Sequence, residues 1–147
     1  MKNIKEQVQT AVNIFKSGNL SKAEEETKKL IAENPKVAFL YNLLGLISAE
    51  QKKNNLAEEY YEKGLTIDPN FAIIYNNLGL LYYKKKKSDK NIQKAEDLYK
   101  KSISIDRKNP EPYSNLGILY SSINKSEESI KFYKQAIKIN PKFFFAY

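Results

Sequence analysis

Tyr75-Asn76-Asn77-Leu78-Gly79 is one of three related pentapeptides in this 147-residue chain. The other two are Tyr41-Asn42-Leu43-Leu44-Gly45 and Tyr113-Ser114-Asn115-Leu116-Gly117, and the three glycines are 34 and 38 residues apart. Recurrence at a spacing of this size is the sequence sign of a repeat protein, in which each copy packs only on its neighbours. We therefore expect an array of short, similar units.

Two further series keep step with the pentapeptides. A small residue followed by aromatics comes next, as Ala57 with Tyr60-Tyr61, Ala95 with Tyr99, and Ser129 with Phe132-Tyr133. The units close with Ile67-Asp68-Pro69, Ile105-Asp106-Arg107 and Ile139-Asn140-Pro141. A weaker first copy has Ala11 where the others have glycine, followed by Ala23 and Asn34-Pro35. This predicts a single array over 1–147, with repeats at 4–37, 38–71, 72–109 and 110–143.

Each unit is expected to be a pair of α-helices. Tyr75, Leu78 and Tyr82 are three and four residues apart, which gives one apolar stripe on a helix. A glycine inside a helix costs about 1 kcal/mol relative to alanine, so its recurrence implies that a partner helix approaches closely there. Ser21-Lys22-Ala23-Glu24 predicts a capping box at the start of the second helix of copy one.

This order of residues resembles the tetratricopeptide repeat (TPR) family over essentially the whole chain: aromatic-x-x-Leu-Gly-x-x-Tyr, then Ala-x-x-x-aromatic, then Pro. Copy one departs most, with Gln7, Thr10 and Ala11 in place of the aromatic, Leu and Gly. Copy three carries four extra residues between its helices and has Arg107 where proline is usual. The resemblance implies an all-α fold, a right-handed α-solenoid of about eight helices with one concave groove. The pentapeptides are also similar to the N-terminal TPR superhelix of O-linked N-acetylglucosamine transferases.

In the TPR family, ligands lie along the concave face of the first helices, so the resemblance implies a peptide groove. The positions carried over are Gln9, Val12, Phe15, Phe39, Asn42, Leu46, Ile73, Asn76, Asn77, Leu80, Tyr83, Ser114, Asn115 and Ile118. Asn77 and Asn115 share one register, with Gln9 equivalent in copy one, and a carboxamide can bond both the N–H and the C=O of a peptide. Two alternatives stay open: the asparagines bond only neighbouring helices, or the apolar residues are half-buried between first helices. Val8 and Val12 replace the first residues of the family's clamp for a C-terminal carboxylate, which argues against that ligand.

The net charge of +8 comes from 25 basic and 17 acidic residues, and Arg107 is the only arginine. Because arginine makes the bidentate phosphate and guanine contacts, this balance argues against nucleic acid as the partner. The run Lys84, Lys85, Lys86 and Lys87, with Lys90 and Lys94, lies in the insertion of copy three. It is interpreted as a solvated turn, with contact to an acidic partner or to phosphate as the alternative.

The residue types that most often perform catalysis or bind metals are scarce. The chain has no His and no Cys, so the commonest general base, metal ligand and thiolate nucleophile are all missing. All five glycines lie in the repeat pattern, which leaves no glycine-rich phosphate loop. We therefore expect neither an enzyme nor a site for a metal or cofactor. No run of about 18 apolar residues and no secretory signal occurs, so the cytoplasm is the default location.

The expected function is a scaffold that binds a peptide or partner protein in the groove. The alternative is the docking arm of a larger glycosyltransferase or sulfotransferase, and a third possibility is binding of acidic partners or nucleic acid through the lysine run. The segment Phe143-Phe144-Phe145-Ala146-Tyr147 resembles the start of a fifth copy, with Tyr147 at the position of Tyr75. It predicts that the chain is part of a longer repeat protein and that copies self-associate through this aromatic end.

Overall fold

The computed structural model describes residues 3–143, and within this range the chain forms eight α-helices and no strand. The helices are α1 (Ile4–Lys16), α2 (Leu20–Glu33), α3 (Ala38–Glu50), α4 (Asn54–Ile67), α5 (Ala72–Lys84), α6 (Asp89–Ile105), α7 (Pro110–Ser122) and α8 (Ser126–Ile139). The predicted all-α helical repeat is confirmed. The aromatic residues Phe144, Phe145 and Tyr147 lie outside the described residues.

The chain divides between Phe71 and Ala72 into two compact units. Unit 1 contains the helices α1 to α4, and unit 2 contains α5 to α8. In each unit the two helices of a hairpin pack on each other, and the second helix of the leading hairpin packs on the first helix of the next. The two first helices also touch, α1 with α3 and α5 with α7. A first helix therefore has one side covered and one side that can face a ligand.

The recurring glycine lies against a tyrosine of the second helix. A Cβ atom placed on Gly79 would lie 2.6 Å from Cε1 of Tyr99, far inside van der Waals contact. The same conflict would arise for Gly117 with Tyr133, at 2.7 Å, and for Gly45 with Tyr61, where the approach is closer still. Burial raises the pKa of Tyr61 and Tyr99, whose rings fill the space that glycine leaves. The close approach that the glycines predicted is confirmed.

Three hairpin turns each contain one residue with a left-handed backbone conformation. Gly18, Lys52 and Asn124 each come seven residues after the glycine register and have φ of 84°, 63° and 61°. This left-handed conformation reverses the chain in a short turn and is costly for a residue such as lysine. Among the described residues, no left-handed backbone occurs in the α5–α6 turn, where the four inserted residues lie. Copy three therefore makes its turn with added chain.

The start of α2 differs from the prediction. Its N-cap is Asn19, whose side chain accepts a hydrogen bond from the backbone N–H of Lys22 at 3.2 Å. The predicted capping box, which placed Ser21 at the cap, is wrong by two residues. Asn and Ser are equally good caps, so packing of the adjacent Leu20 against the unit 1 core settles the choice.

A carboxylate links consecutive hairpins at the same position in both units. Glu24 follows the buried Ala23 in α2, and its Oε2 accepts a hydrogen bond from Nε2 of Gln51 at 2.9 Å. Glu96 holds the same register in α6, and its Oε1 accepts from the hydroxyl of Tyr120 at 2.6 Å. Each bond joins a second helix to the next hairpin's first helix or the turn after it. These glutamates therefore hold neighbouring copies together.

Candidate functional site

An open face on α5 and α7 is the candidate site of unit 2. It is formed by residues at matching positions of the two first helices, here called the α5–α7 face: Ile73, Asn77, Leu80, Glu111, Asn115 and Ile118. The spacing of four and three residues puts each set on one side of its helix. Ile73 is 42% exposed and Ile118 is 37% exposed, although both are aliphatic. The face thus presents apolar and amide groups side by side.

Three of the predicted groove positions do not lie on an open face. Asn42, Asn76 and Ser114 are at most 6% exposed, so protein atoms enclose their side chains. All three stand three residues before the repeated glycine, and Asn76 and Ser114 directly precede Asn77 and Asn115 of the α5–α7 face. Neighbouring helices cover that side. Their predicted contact with a ligand does not fit this burial.

Asn76 bridges the two first helices of unit 2. Its Nδ2 donates to Oε2 of Glu111 at 3.3 Å, and its Oδ1 accepts from Nδ2 of Asn115 at 2.9 Å. The alternative that an asparagine serves the contact between neighbouring helices therefore applies to Asn76. Asn115 is different, because it is only half-buried and its Oδ1 accepts no hydrogen bond from residues 3–143. The bond to Asn76 fixes the Asn115 amide and leaves its carbonyl oxygen as an acceptor.

The two ends of the α5–α7 face carry opposite charges. Glu111, in the first turn of α7, is an exposed carboxylate beside the start of the face. Lys84, the last residue of α5, is exposed at the other end. The residues between them, Leu80 and Asn115 included, are uncharged. A ligand with charges at both ends would therefore find a defined direction on this face.

Tyr83 was predicted to point into the groove, but in the structure it packs against the core of unit 2. It is half-buried and packs against the unit 2 core of Ala95, Tyr99, Leu116, Leu119 and Tyr120. The end of α5 is thus partly closed by the core. Leu80, one turn earlier on α5, is likewise half-buried.

Unit 1 places the corresponding residues on α1 and α3. Phe39 is 37% exposed, Leu46 is half-buried and Gln9 is exposed, with its Nε2 donating to Oδ1 of Asn13 at 3.0 Å. Val12 and Phe15 are half-buried and pack against the unit 1 core, as the second alternative anticipated. Leu43 holds the register of Asn77 and Asn115 and is buried, so no row of amides runs through unit 1. The ligand-binding role of these residues stays a prediction.

The lysine run lies in the α5–α6 turn. Lys84, Lys86 and Lys87 are exposed, whereas Lys85 is half-buried with its Nζ 4.1 Å from the centre of the Tyr82 ring. Sequence reasoning did not connect this run with Tyr82. The available signal was the four-residue spacing of Lys90 and Lys94, which places both on one side of α6.

Within residues 3–143, no group of three or more acidic residues is placed to hold a metal ion. None of the helices in this range combines the length and apolar character needed to cross a bilayer.

Comparison with known proteins identifies the repeat. Residues 110–143 match a family model described as tetratricopeptide repeat, and residues 45–86 match one described as TPR repeat. A MamA crystal structure is 23% identical with a TM-score of 0.76, over 99% of this chain and 82% of that chain. PilF of Pseudomonas aeruginosa is 19% identical with a TM-score of 0.83, over 95% of this chain and 62% of that chain.

A third solved structure has a similar fold. TTC0263, a thermophilic TPR protein of Thermus thermophilus, is 15% identical with a TM-score of 0.83, over 95% of this chain and 75% of that chain. At these identities the likeness concerns the fold alone. No curated relative matches the sequence. The resemblance to O-linked N-acetylglucosamine transferases is not confirmed.

Proposed function

This chain belongs to the tetratricopeptide repeat family, and from that premise we propose that its α5–α7 face binds an extended peptide segment of a partner protein. TPR proteins generally bind protein partners, which makes a protein-interaction scaffold the expected role. One observation carries the choice of face. The half-buried Asn115, its amide held by the buried Asn76, lies on the same side of α7 as the exposed Ile118, and the exposed Ile73 lies on the matching side of α5.

The apolar side chains of the face favour a ligand that covers them and so removes them from water. A single exposed aliphatic residue is ordinary on a protein surface, but Leu80 and Ile118 stand at matching positions of adjacent helices, and Ile73 lies on the same side of α5 as Leu80. Burying one such side chain is worth about 1.5–3 kcal/mol. Two or three of them suffice for a modest peptide affinity once the cost of ordering the ligand is counted.

The amide part of the face supports an extended backbone as the ligand. Oδ1 of Asn115 can accept the N–H of a peptide whatever the peptide's side chains are. Asn77 occupies the same position on α5, so a second amide lies one repeat away. A peptide lying across α5 and α7 could meet both amides, with its side chains against Leu80 and Ile118. A net hydrogen bond of this kind contributes about 0.5–1.5 kcal/mol.

The charged ends suggest the polarity of the segment. Glu111 favours a basic residue at one end of the bound peptide, and Lys84 favours an acidic residue at the other. Both charges are exposed, so they would act more on orientation and association rate than on affinity. The predicted docking arm of a larger glycosyltransferase or sulfotransferase would use the same face, and that alternative stays a prediction.

A displayed library of random peptides, selected on the immobilised full chain, tests the proposal. A selected peptide is then titrated into isotope-labelled protein while the amide resonances are followed. We expect the largest shifts at Ile73, Asn77, Leu80, Asn115 and Ile118. Shifts confined to second helices, or peptides that share no apolar residue, would contradict the proposal.

A further inference from the structure

A hollow of about 370 Å³ lies beside the C-terminal end of α5. Its lining comes from Tyr82 on α5 and from one side of α6: Lys90, Gln93, Lys94 and Asp97. The Nζ of Lys85 is 4.1 Å and that of Lys94 is 5.9 Å from the centre of the Tyr82 ring. An aromatic ring is thus flanked by ammonium groups from both the turn and the helix. None of these residues belongs to the α5–α7 face.

The backbone of the adjoining lysine turn is held in place. Ser88 caps α6, with its Oγ accepting from the backbone N–H of Asn91 at 3.2 Å. The Asn91 side chain reaches back, and its Nδ2 donates to the backbone oxygen of Lys86 at 2.8 Å. These two bonds tie the turn to the first turn of the helix that lines the hollow. The lysines are therefore presented on an anchored segment.

Four lysines at this place have no carboxylate partner within the described part of the chain. Lys84, Lys86, Lys87 and Lys90 make no ion pair with any residue in 3–143. Lys28, by contrast, forms an ion pair with Glu24 at 2.6 Å. Residues 84–108 contain ten basic and four acidic side chains. Clustered like charges repel each other and favour a ligand of opposite sign.

The fold does not require this segment. The other three hairpins reverse direction with the short left-handed turns at Gly18, Lys52 and Asn124. Copy three alone has four extra residues there, and all four of Lys84–Lys87 fall at the end of α5 and in the turn. Lys85, Lys86 and Lys87 therefore lie in the lengthened turn beside the hollow, and the regular repeat does not need them to reverse its chain.

We propose that the Tyr82 hollow and the Lys84–Lys87 turn form a second docking site that takes an acidic segment of a protein partner. Carboxylates of the segment pair with Lys90 and Lys94, and its chain continues over the turn. An acidic protein fits better than nucleic acid for two reasons. The basic surface is a single turn with Asp97 inside the hollow, and it lacks arginine at every lining position.

An oligoglutamate peptide carrying a fluorescent label is the probe, and its anisotropy is measured with the full chain over a range of salt concentrations. We expect binding that weakens as salt rises, and an affinity at least tenfold lower for the Lys90→Ser/Lys94→Ser variant, since one lost contact of about 1.4 kcal/mol is already tenfold. The matched control is Lys131→Ser/Lys134→Ser, which removes the same charge from exposed positions on α8. The control should bind oligoglutamate nearly as the parent does.

Two results would overturn this proposal. Equal weakening in both variants would show that the peptide senses only net charge. Tighter binding of a single-stranded oligonucleotide of equal charge, lost in the same Lys90→Ser/Lys94→Ser variant, would assign the site to nucleic acid. Either result leaves the α5–α7 face untouched, because an uncharged peptide selected on that face does not depend on Lys90 or Lys94.

Discussion

The Nδ2 atom of Asn115 lies 2.9 Å from Oδ1 of Asn76, so a hydrogen bond joins α7 to α5 between two consecutive copies. Asn76 is 2% exposed and also donates to Glu111, so both the nitrogen and the oxygen of this buried side-chain amide have a hydrogen-bond partner. Asn115 gains a fixed orientation from the same bond. One asparagine thus stabilises the pair of helices, and the other offers its carbonyl oxygen to a ligand.

Replacing Asn76 should therefore lower stability. Asn76→Ala removes the acceptor of Asn115 and one donor to Glu111, and we expect the free energy of unfolding to fall by about 1–3 kcal/mol. Urea denaturation followed by circular dichroism measures the change. Ser121→Ala, an exposed polar residue of α7, is the control and should unfold like the parent. An unchanged midpoint for Asn76→Ala would contradict the bridging role.

Gly79→Ala should destabilise the protein, although alanine is the better helix former. The added Cβ would lie 2.6 Å from the Tyr99 ring, and overpacking of this kind costs about 1–3 kcal/mol. The ring is 1% exposed and cannot move away freely. Thermal unfolding measures the loss. In Tyr99→Leu the conflict is absent, so adding Gly79→Ala to that variant should cost less than it does in the parent. Equal costs in both backgrounds would rule out the steric account.

Glu96 should make stability depend on pH. Burial raises the pKa of this carboxyl, but hydrogen bonds from Lys100 and Tyr120 outweigh it and hold the pKa below its ordinary value of 4.5. The folded protein therefore binds this proton less tightly than the unfolded chain. Its contribution is full above about pH 4.5 and is lost as pH falls through the lowered pKa.

Glu96→Gln should consequently be less stable than the parent at neutral pH, and the difference should shrink in acid. Urea midpoints across the acid range measure it. Glu25→Gln is the control, because its exposed pair with Lys29 contributes little. A difference between Glu96→Gln and the parent that stays constant with pH would be inconsistent with the proposed linkage.

The outer side of α8 should promote weak self-association. Ile130 is 53% exposed and Ile137 is 41% exposed. Ile130 stands at the register of Glu24 and Glu96, the carboxylates that join consecutive hairpins. Ile137 stands at the register of Ile103, which is half-buried against the unit 2 core. A surface that the next hairpin covers in copies one and three is thus open on α8.

Ile130→Glu restores the residue found at this register in the other copies and should reduce self-association. Sedimentation velocity over a range of protein concentrations measures it. We expect the weight-average sedimentation coefficient of the parent to rise with concentration and that of Ile130→Glu to rise less. A parent protein that stays monomeric at high concentration would show that this surface does not self-associate.

Much of the fold could be predicted from the sequence, because residues that recur at a regular spacing indicate the helical repeat. The glycines at 45, 79 and 117 predicted a close approach of the partner helix, because glycine inside a helix is otherwise costly. That the rings of Tyr61, Tyr99 and Tyr133 make this approach is visible only in the structure. The cap of α2 could not be predicted, because Asn19 and Ser21 are both good caps and packing decided between them.

The candidate site was predicted less completely. Asn76 and Asn77 are adjacent in sequence, yet one is buried in a helix contact and the other is half-buried on the α5–α7 face. One residue is about 100° around a helix, so the angle between neighbouring helices decides which side chain is open. The hollow at Tyr82 joins residues of α5 and α6, and only the packed hairpin shows it.

The affinity of one selected peptide for two matched variants tests the proposed function most directly. Ile118→Asp puts a charge in the middle of the α5–α7 face, and Ile137→Asp makes the same change at a similarly exposed isoleucine of α8. Both variants should melt close to each other. We predict that isothermal titration finds the peptide bound about tenfold or more weakly by Ile118→Asp, because an apolar contact is lost and a charge is desolvated. Ile137→Asp should bind as the parent does. Equal affinity for Ile118→Asp and the parent would contradict the account.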